Sequence, residues 1–100
     1  MKITEVEALY LRLPAFQART HSSQDALIVK VSTDAGITGW GEVDGCPYVT
    51  KAIIAAPMSH TLVTGLRSLL LGEDPLETIR LWRKMYQGTR VDADRRPGER

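Results

Sequence analysis

The sequence predicts an α+β fold, a three-stranded antiparallel meander followed by a small helical subdomain. Three observations carry this expectation. Three apolar, β-compatible stretches come first. A tight-turn signature joins the second to the third. After Thr50, apolar residues recur at spacings of one, three and four between helix start and stop signals.

Ile3 to Leu13 is the first strand. Its apolar parity shifts near Ala8 and Leu9, which predicts a bulge there or burial on both faces in the second half. Pro14 ends it, because it has no N–H for the ladder. Residues 15–24, AFQARTHSSQ, have no usable period and read as a loop. Ala26 to Thr33 is the second strand, with Leu27, Val29 and Val31 pointing one way. Asp34, Ala35 and Gly36 form the turn, Asp34 bonding to nearby backbone and Gly36 accepting positive φ. Ile37 to Val43 returns antiparallel, placing Gly39 and Gly41 on one face as a flat patch for a close approach. These glycines sit inside a strand with no helix directly after them, so they do not form a phosphate cradle.

The helices follow. One starts at Thr50 and bends or restarts at Pro57; a second, capped by Ser59, runs to Gly72. The third has Asp74 as cap, Pro75 in its first turn and Glu77 reaching back, and extends to about Gln87. Its face of Leu76, Ile79, Trp82, Met85 and Tyr86 is expected in the core. After Gly88, TRVDADRRPGER carries no core, and the domain boundary is placed at 92, with 93–100 a linker.

The 100 residues suit one domain of 43% hydrophobic content. Thirteen basic and 12 acidic residues are scattered to a net charge of +1, which argues against nucleic acid or an anionic membrane surface as partner. The single Cys46 allows no intrachain disulfide, and no stretch has signal-peptide or membrane-spanning character, so a cytoplasmic location is expected.

Chemistry is sparse within the chain. His21, beside Arg19, is placed to meet an anionic group or serve as a base, against the plainer reading of a polar loop residue. Cys46 needs a basic partner to act as a nucleophile, which His21 offers only if the two loops meet, and a structural thiol is the plainer reading. His60 reads as a first-turn helix residue. Glu42 and Asp44 make only a two-residue suggestion of a hard-cation site, so no metal ligands and no catalytic residues are assigned. In a meander, the loops after the first and third strands lie at one end of the sheet. Phe16 to Ser23 and Asp44 to Thr50 then form a lid offering Phe16, Arg19, His21, Asp44, Cys46 and Tyr48, which supplies selectivity and water exclusion rather than the chemical step.

The runs SSQDALIVKVSTDAGITGWGEVDGCP, IIAAPMSH and LLLGEDPLETIRLWRKMY resemble the amino-terminal domain of the enolase superfamily, in its mandelate racemase and muconate lactonizing enzyme branch. The resemblance covers about residues 1 to 96 and implies a capping domain whose two loops close over a modified TIM barrel. The barrel would carry a magnesium ion and the acid and base that remove a proton α to a substrate carboxylate. Phe16 to Ser23 and Asp44 to Thr50 match the two specificity loops, while Trp40, Glu42, Asp74 and Trp82 match structural positions. The tail resembles the connector to the barrel, with Arg95 or Arg96 helping to dock it.

The implied parent is a racemase, epimerase or acid-sugar dehydratase, while this chain, which holds no counterpart of the barrel residues, is expected to be inactive and to need no cofactor alone. The implied partners are the TIM barrel, a small carboxylate substrate and, from the apolar helix positions, further copies in a homo-oligomer. The alternative is a non-enzymatic binding or oligomerisation module that reuses the domain.

Overall fold

The computed structural model describes residues 1–12, 25–59 and 64–89. Strands β1 (Ile3–Arg12), β2 (Asp25–Thr33) and β3 (Thr38–Val43) are followed by helices α1 (Pro47–Ala55), α2 (Leu66–Leu70) and α3 (Thr78–Gly88). The sheet order is β1-β2-β3 with both pairs antiparallel, the expected meander.

The bulge in β1 lies between Ile3 and Glu5, not near Ala8 and Leu9. It explains a parity that alternation alone does not: Ile3 and Val6, three residues apart, are both buried on the helix side. Beyond it the ladder runs unbroken from Glu5↔Ser32 to Arg12↔Asp25. The apolar second half of β1 therefore splits between the faces, with Ala8 and Tyr10 packed against the core and Leu9 and Leu11 exposed. The β2–β3 turn has Gly36 at φ 75°, a conformation that disfavours any side chain. The local side chain that closes this turn is Thr33, whose hydroxyl donates to the Ile37 carbonyl (2.7 Å) and accepts from the Ile37 amide (3.2 Å). Asp34 instead accepts from the Lys2 amide at 2.9 Å, tying the turn to the start of β1.

Helix α1 starts at Pro47, three residues before the expected Thr50. Proline is pre-shaped for the first helical position and has no N–H to leave unpaired there. The helix stops at Ala55 because Ala56, preceding Pro57, is driven to extended ψ (134°). The long second helix is not continuous. His60 to Val63 fall outside the described residues, and Thr64 and Gly65 send their amides to Gly88 (2.8 Å) and Ala56 (3.0 Å) instead of opening a helix. Among its described residues Leu66–Leu70 is helical, ending before Gly72 at φ 83° as expected.

Asp74 does not cap α3 directly. Its carboxylate accepts from the Leu76 amide (3.0 Å) and its carbonyl from the Glu77 amide (3.2 Å), which makes a separate turn. Glu77 turns to Arg80 rather than reaching back, and α3 begins one residue later. The 92/93 boundary and the linker lie outside the described residues.

Ile3, Val6, Leu27, Ile54 and Leu81 form the core, with Val29, Val31, Leu66 and Leu70 packed around it. The expected core face of α3 is a correction. Ile79, Trp82 and Tyr86 are exposed, as is Leu76 in the preceding turn, and Leu81 is the buried residue of the helix. Helix α3 packs on α2, so only the edge carrying Leu81 reaches the core. The flat patch at Gly39 and Gly41 is also uncovered: a Cβ at either would meet nothing within 4 Å. Between this strip and α3 runs an apolar groove of about 450 Å³, lined by Ile3, Val31, Ile37, Gly39, Leu81 and Trp82 among others.

Candidate functional site at one end of the sheet

The register decides which connections share an end. Arg12 pairs with Asp25 and Leu27 with Val43, so the C-terminal ends of β1 and β3 and the N-terminal end of β2 lie together. The segment 13–24 and the connection 44–46 both leave from that end, as the meander requires. The turn at Asp34–Gly36 and the apolar groove lie toward the opposite end.

Of the six candidate residues, Phe16, Arg19 and His21 lie outside the described residues. Asp44, Cys46 and Tyr48 are all exposed. Because α1 starts at Pro47, the second segment is a short bend followed by the first helical turn, not a loop to Thr50. Cys46 takes the N-cap position with extended backbone, and its carbonyl accepts from the Thr50 amide at 3.1 Å. Pro47 is buried, which seats the first turn of α1 on the sheet, while Tyr48 projects at its rim, 62% exposed.

Tyr48 is brought to Tyr10 and, through it, to Asp25, neither of which sequence reading singled out. Its ring meets the edge of Tyr10 (centroids 5.1 Å apart, planes at 77°), and the two hydroxyl oxygens are 3.4 Å apart. Tyr10 donates its hydroxyl proton to Asp25 Oδ2 at 3.0 Å. The contact with Tyr48, desolvation and the Asp25 carboxylate all favour the neutral phenol and hold Tyr10 protonated well above the ordinary range. A signal was present in the sequence: Tyr10 is a polar-tipped residue at an inward position of β1, two residues before the end of the strand.

Among the described residues, no three His, Cys, Asp or Glu side chains converge as a metal site, and Glu42 and Asp44 are not joined by a third ligand. No described helix is long and apolar enough to cross a membrane.

The family model described as mandelate racemase / muconate lactonizing enzyme, N-terminal domain, matches residues 2–94. The chain belongs to this family. An N-succinyl-L-Arg/Lys racemase of Bacillus cereus is 33% identical over 81 residues, covering 76% of this chain and 22% of the racemase. A D-galactonate dehydratase of Xanthomonas campestris pv. campestris is 35% identical over 69 residues, covering 67% of this chain and 16% of the dehydratase. A crystal structure from Rhodobacter sphaeroides, described as a predicted mandelate racemase, superposes with a TM-score of 0.78 at 30% identity, over 88% of this chain and 23% of that one. The mandelate racemase fold of the amino-terminal domain is thus present, and the chain spans about a fifth of the length of these relatives.

Proposed function

We propose that this chain is the capping and substrate-specificity portion of a magnesium-dependent racemase, epimerase or acid-sugar dehydratase, which removes a proton α to a carboxylate. The observation that carries the reading is the shared departure of segments 13–24 and 44–46 from one end of the sheet, with Tyr48 exposed at that end. Such an end is suited to roofing a site furnished by another domain, and the relatives extend far beyond the matched region.

The chemistry assigns the remaining parts. An α-proton beside a carboxylate is weakly acidic, so its removal calls for a positioned base and for a cation that stabilises the charge developing on the carboxylate oxygens. The described residues offer no cluster of three ligands, so the proposal gives the magnesium ion, the base and the acid to a TIM-barrel domain in the rest of the protein. The relatives named as racemase and dehydratase are consistent with one first step and two continuations. A racemase returns the proton to the opposite face, and a dehydratase expels a hydroxyl from the neighbouring carbon. The roles proposed for the present residues are contact and water exclusion, by Phe16, Arg19 and His21 from the first segment and by Asp44, Cys46 and Tyr48 from the second. The proposed location is cytoplasmic.

The test is α-proton exchange in deuterated water with magnesium, on a panel of acid sugars and N-succinyl amino acids, read by mass and proton NMR. The full-length protein is expected to incorporate deuterium at the α-carbon of at least one of them, and residues 1–100 alone are expected to incorporate none. Exchange catalysed by the isolated chain, or no exchange by the full-length protein on any member of the panel, overturns the reading.

A further inference from the structure

We propose that Tyr10, Asp25 and Tyr48 form a latch that fixes the first turn of α1, and with it Asp44 and Cys46, against the end of β1 and β2, so that Tyr10 is a positioning residue for the roofed site. The inference rests on the capping reading and adds to it the means by which the second segment is held at its end of the sheet.

Tyr10 and Asp25 belong to adjacent strands, and Asp25 is the first residue of β2, paired with Arg12, the last of β1. Tyr48 belongs to a different element, 38 positions along the chain from Tyr10. Cys46, the N-cap residue of α1, makes no side-chain capping bond, and the helix entry meets the sheet through the buried Pro47 and through Tyr48. Tyr10 has one hydroxyl proton. That proton lies within reach of both Asp25 Oδ2, the charged acceptor at 3.0 Å, and the Tyr48 hydroxyl oxygen at 3.4 Å, so one donor on the sheet joins the start of β2 to the first turn of α1. The edge-to-face ring contact fixes the orientation that the hydroxyls require.

An anchor at the base of the second segment sets where Asp44 and Cys46 stand relative to the end from which the first segment departs. Tyr10 itself lies within the fold, half-buried, and acts through Tyr48.

The test uses the full-length protein with Tyr10→Phe and Tyr48→Phe, which keep both rings and remove one hydroxyl each. Hydrogen–deuterium exchange is read in peptides spanning 44–54 and, as an internal reference, in β2. Loss of one such bond is expected to speed exchange in the first turn of α1 about tenfold, with β2 unchanged. The double variant is expected to be no faster than either single one, because the two hydroxyls act as one unit. With the carboxylate that the wild type exchanges best, Tyr10→Phe is expected to raise KM about tenfold while kcat stays within about twofold. Val6→Ala, which weakens the core under the same strand, is expected to lower stability and leave KM unchanged.

Unchanged exchange in 44–54 for both single variants overturns the latch. Faster exchange with an unchanged KM overturns the positioning role. If the wild type exchanges no α-proton on any carboxylate, the capping reading falls, and the hydrogen-exchange result alone decides the latch.

Discussion

The amide of Gly65 donates to the carbonyl oxygen of Ala56 across 3.0 Å, and the two backbones are so close that a Cβ on Gly65 would collide with that oxygen and lie 2.8 Å from the Ala56 nitrogen. The obstacle is main chain, which cannot rotate away. Gly65→Ala is therefore expected to destabilise the fold by about 2–3 kcal/mol, at the upper end of overpacking costs. Gly41→Ala, with nothing within 4 Å, is expected to be neutral or stabilising by up to about 1 kcal/mol through the restricted unfolded chain. Urea denaturation of the two variants side by side checks both signs.

Helix α3 offers a second contrast. Leu81 is 5% exposed in the core, whereas its neighbour Trp82 is 61% exposed and stacks on Tyr86 at 5.3 Å. Leu81→Ala is expected to cost about 2–4 kcal/mol, and Trp82→Ala no more than about 1 kcal/mol despite the larger side chain removed. Thermal denaturation of residues 1–100 carrying either change separates them; the reverse order would place Trp82 in the core.

Stability at acid pH follows from Glu5 and Glu73. Glu5 accepts from Arg67 at 2.6 and 3.1 Å; that bond, followed by the Val6 amide, holds its carboxyl below the ordinary 4.5. Glu73 is lowered from the same value chiefly by Arg80, with Lys84 adding to the effect. Since both folded values lie below the unfolded one, the stabilisation is complete above 4.5 and is lost as pH falls through the folded values. The Tm is expected to hold between about pH 7 and about pH 5 and to fall below that, with a shallower fall in Glu5→Gln. An identical acid limb in that variant would remove Glu5 from the account.

Tyr10 has the opposite sign. Its phenol is held protonated above the ordinary 10.0 by Tyr48, by desolvation and by Asp25, so its contribution is complete below that value and is lost as pH rises through the folded one. Alkaline titration followed by ultraviolet absorbance is expected to show Tyr10 ionising late. Tyr48→Phe should bring it back toward an ordinary phenol.

The strands were legible because period-two patterning is local, and the turn because Gly36 needs positive φ whatever surrounds it. The helix starts were less so. Pro47 and Thr50 both carry start signals, as do Asp74 and Glu77, and only the packing of Pro47 on the sheet and the pairing of Glu77 with Arg80 choose between them. Asp44, Cys46 and Tyr48 were readable as candidates because they follow the third strand. Tyr10, for all its polar tip near the end of β1, and Asp25 could not be tied to Tyr48, because their relation spans 38 and 23 positions and exists only once α1 folds over the sheet.

By itself the sequence determined the meander, the family and the shared end from which segments 13–24 and 44–46 depart, since alternation, turn chemistry and motif are properties of neighbouring residues. Tertiary structure decided which side of α3 is buried, where the bulge in β1 falls, and that a tyrosine of the helix meets a tyrosine of the sheet. Those outcomes depend on which surfaces compete for the same small core, and a helix with apolar residues on more than one side can bury only the edge that its neighbours leave within reach.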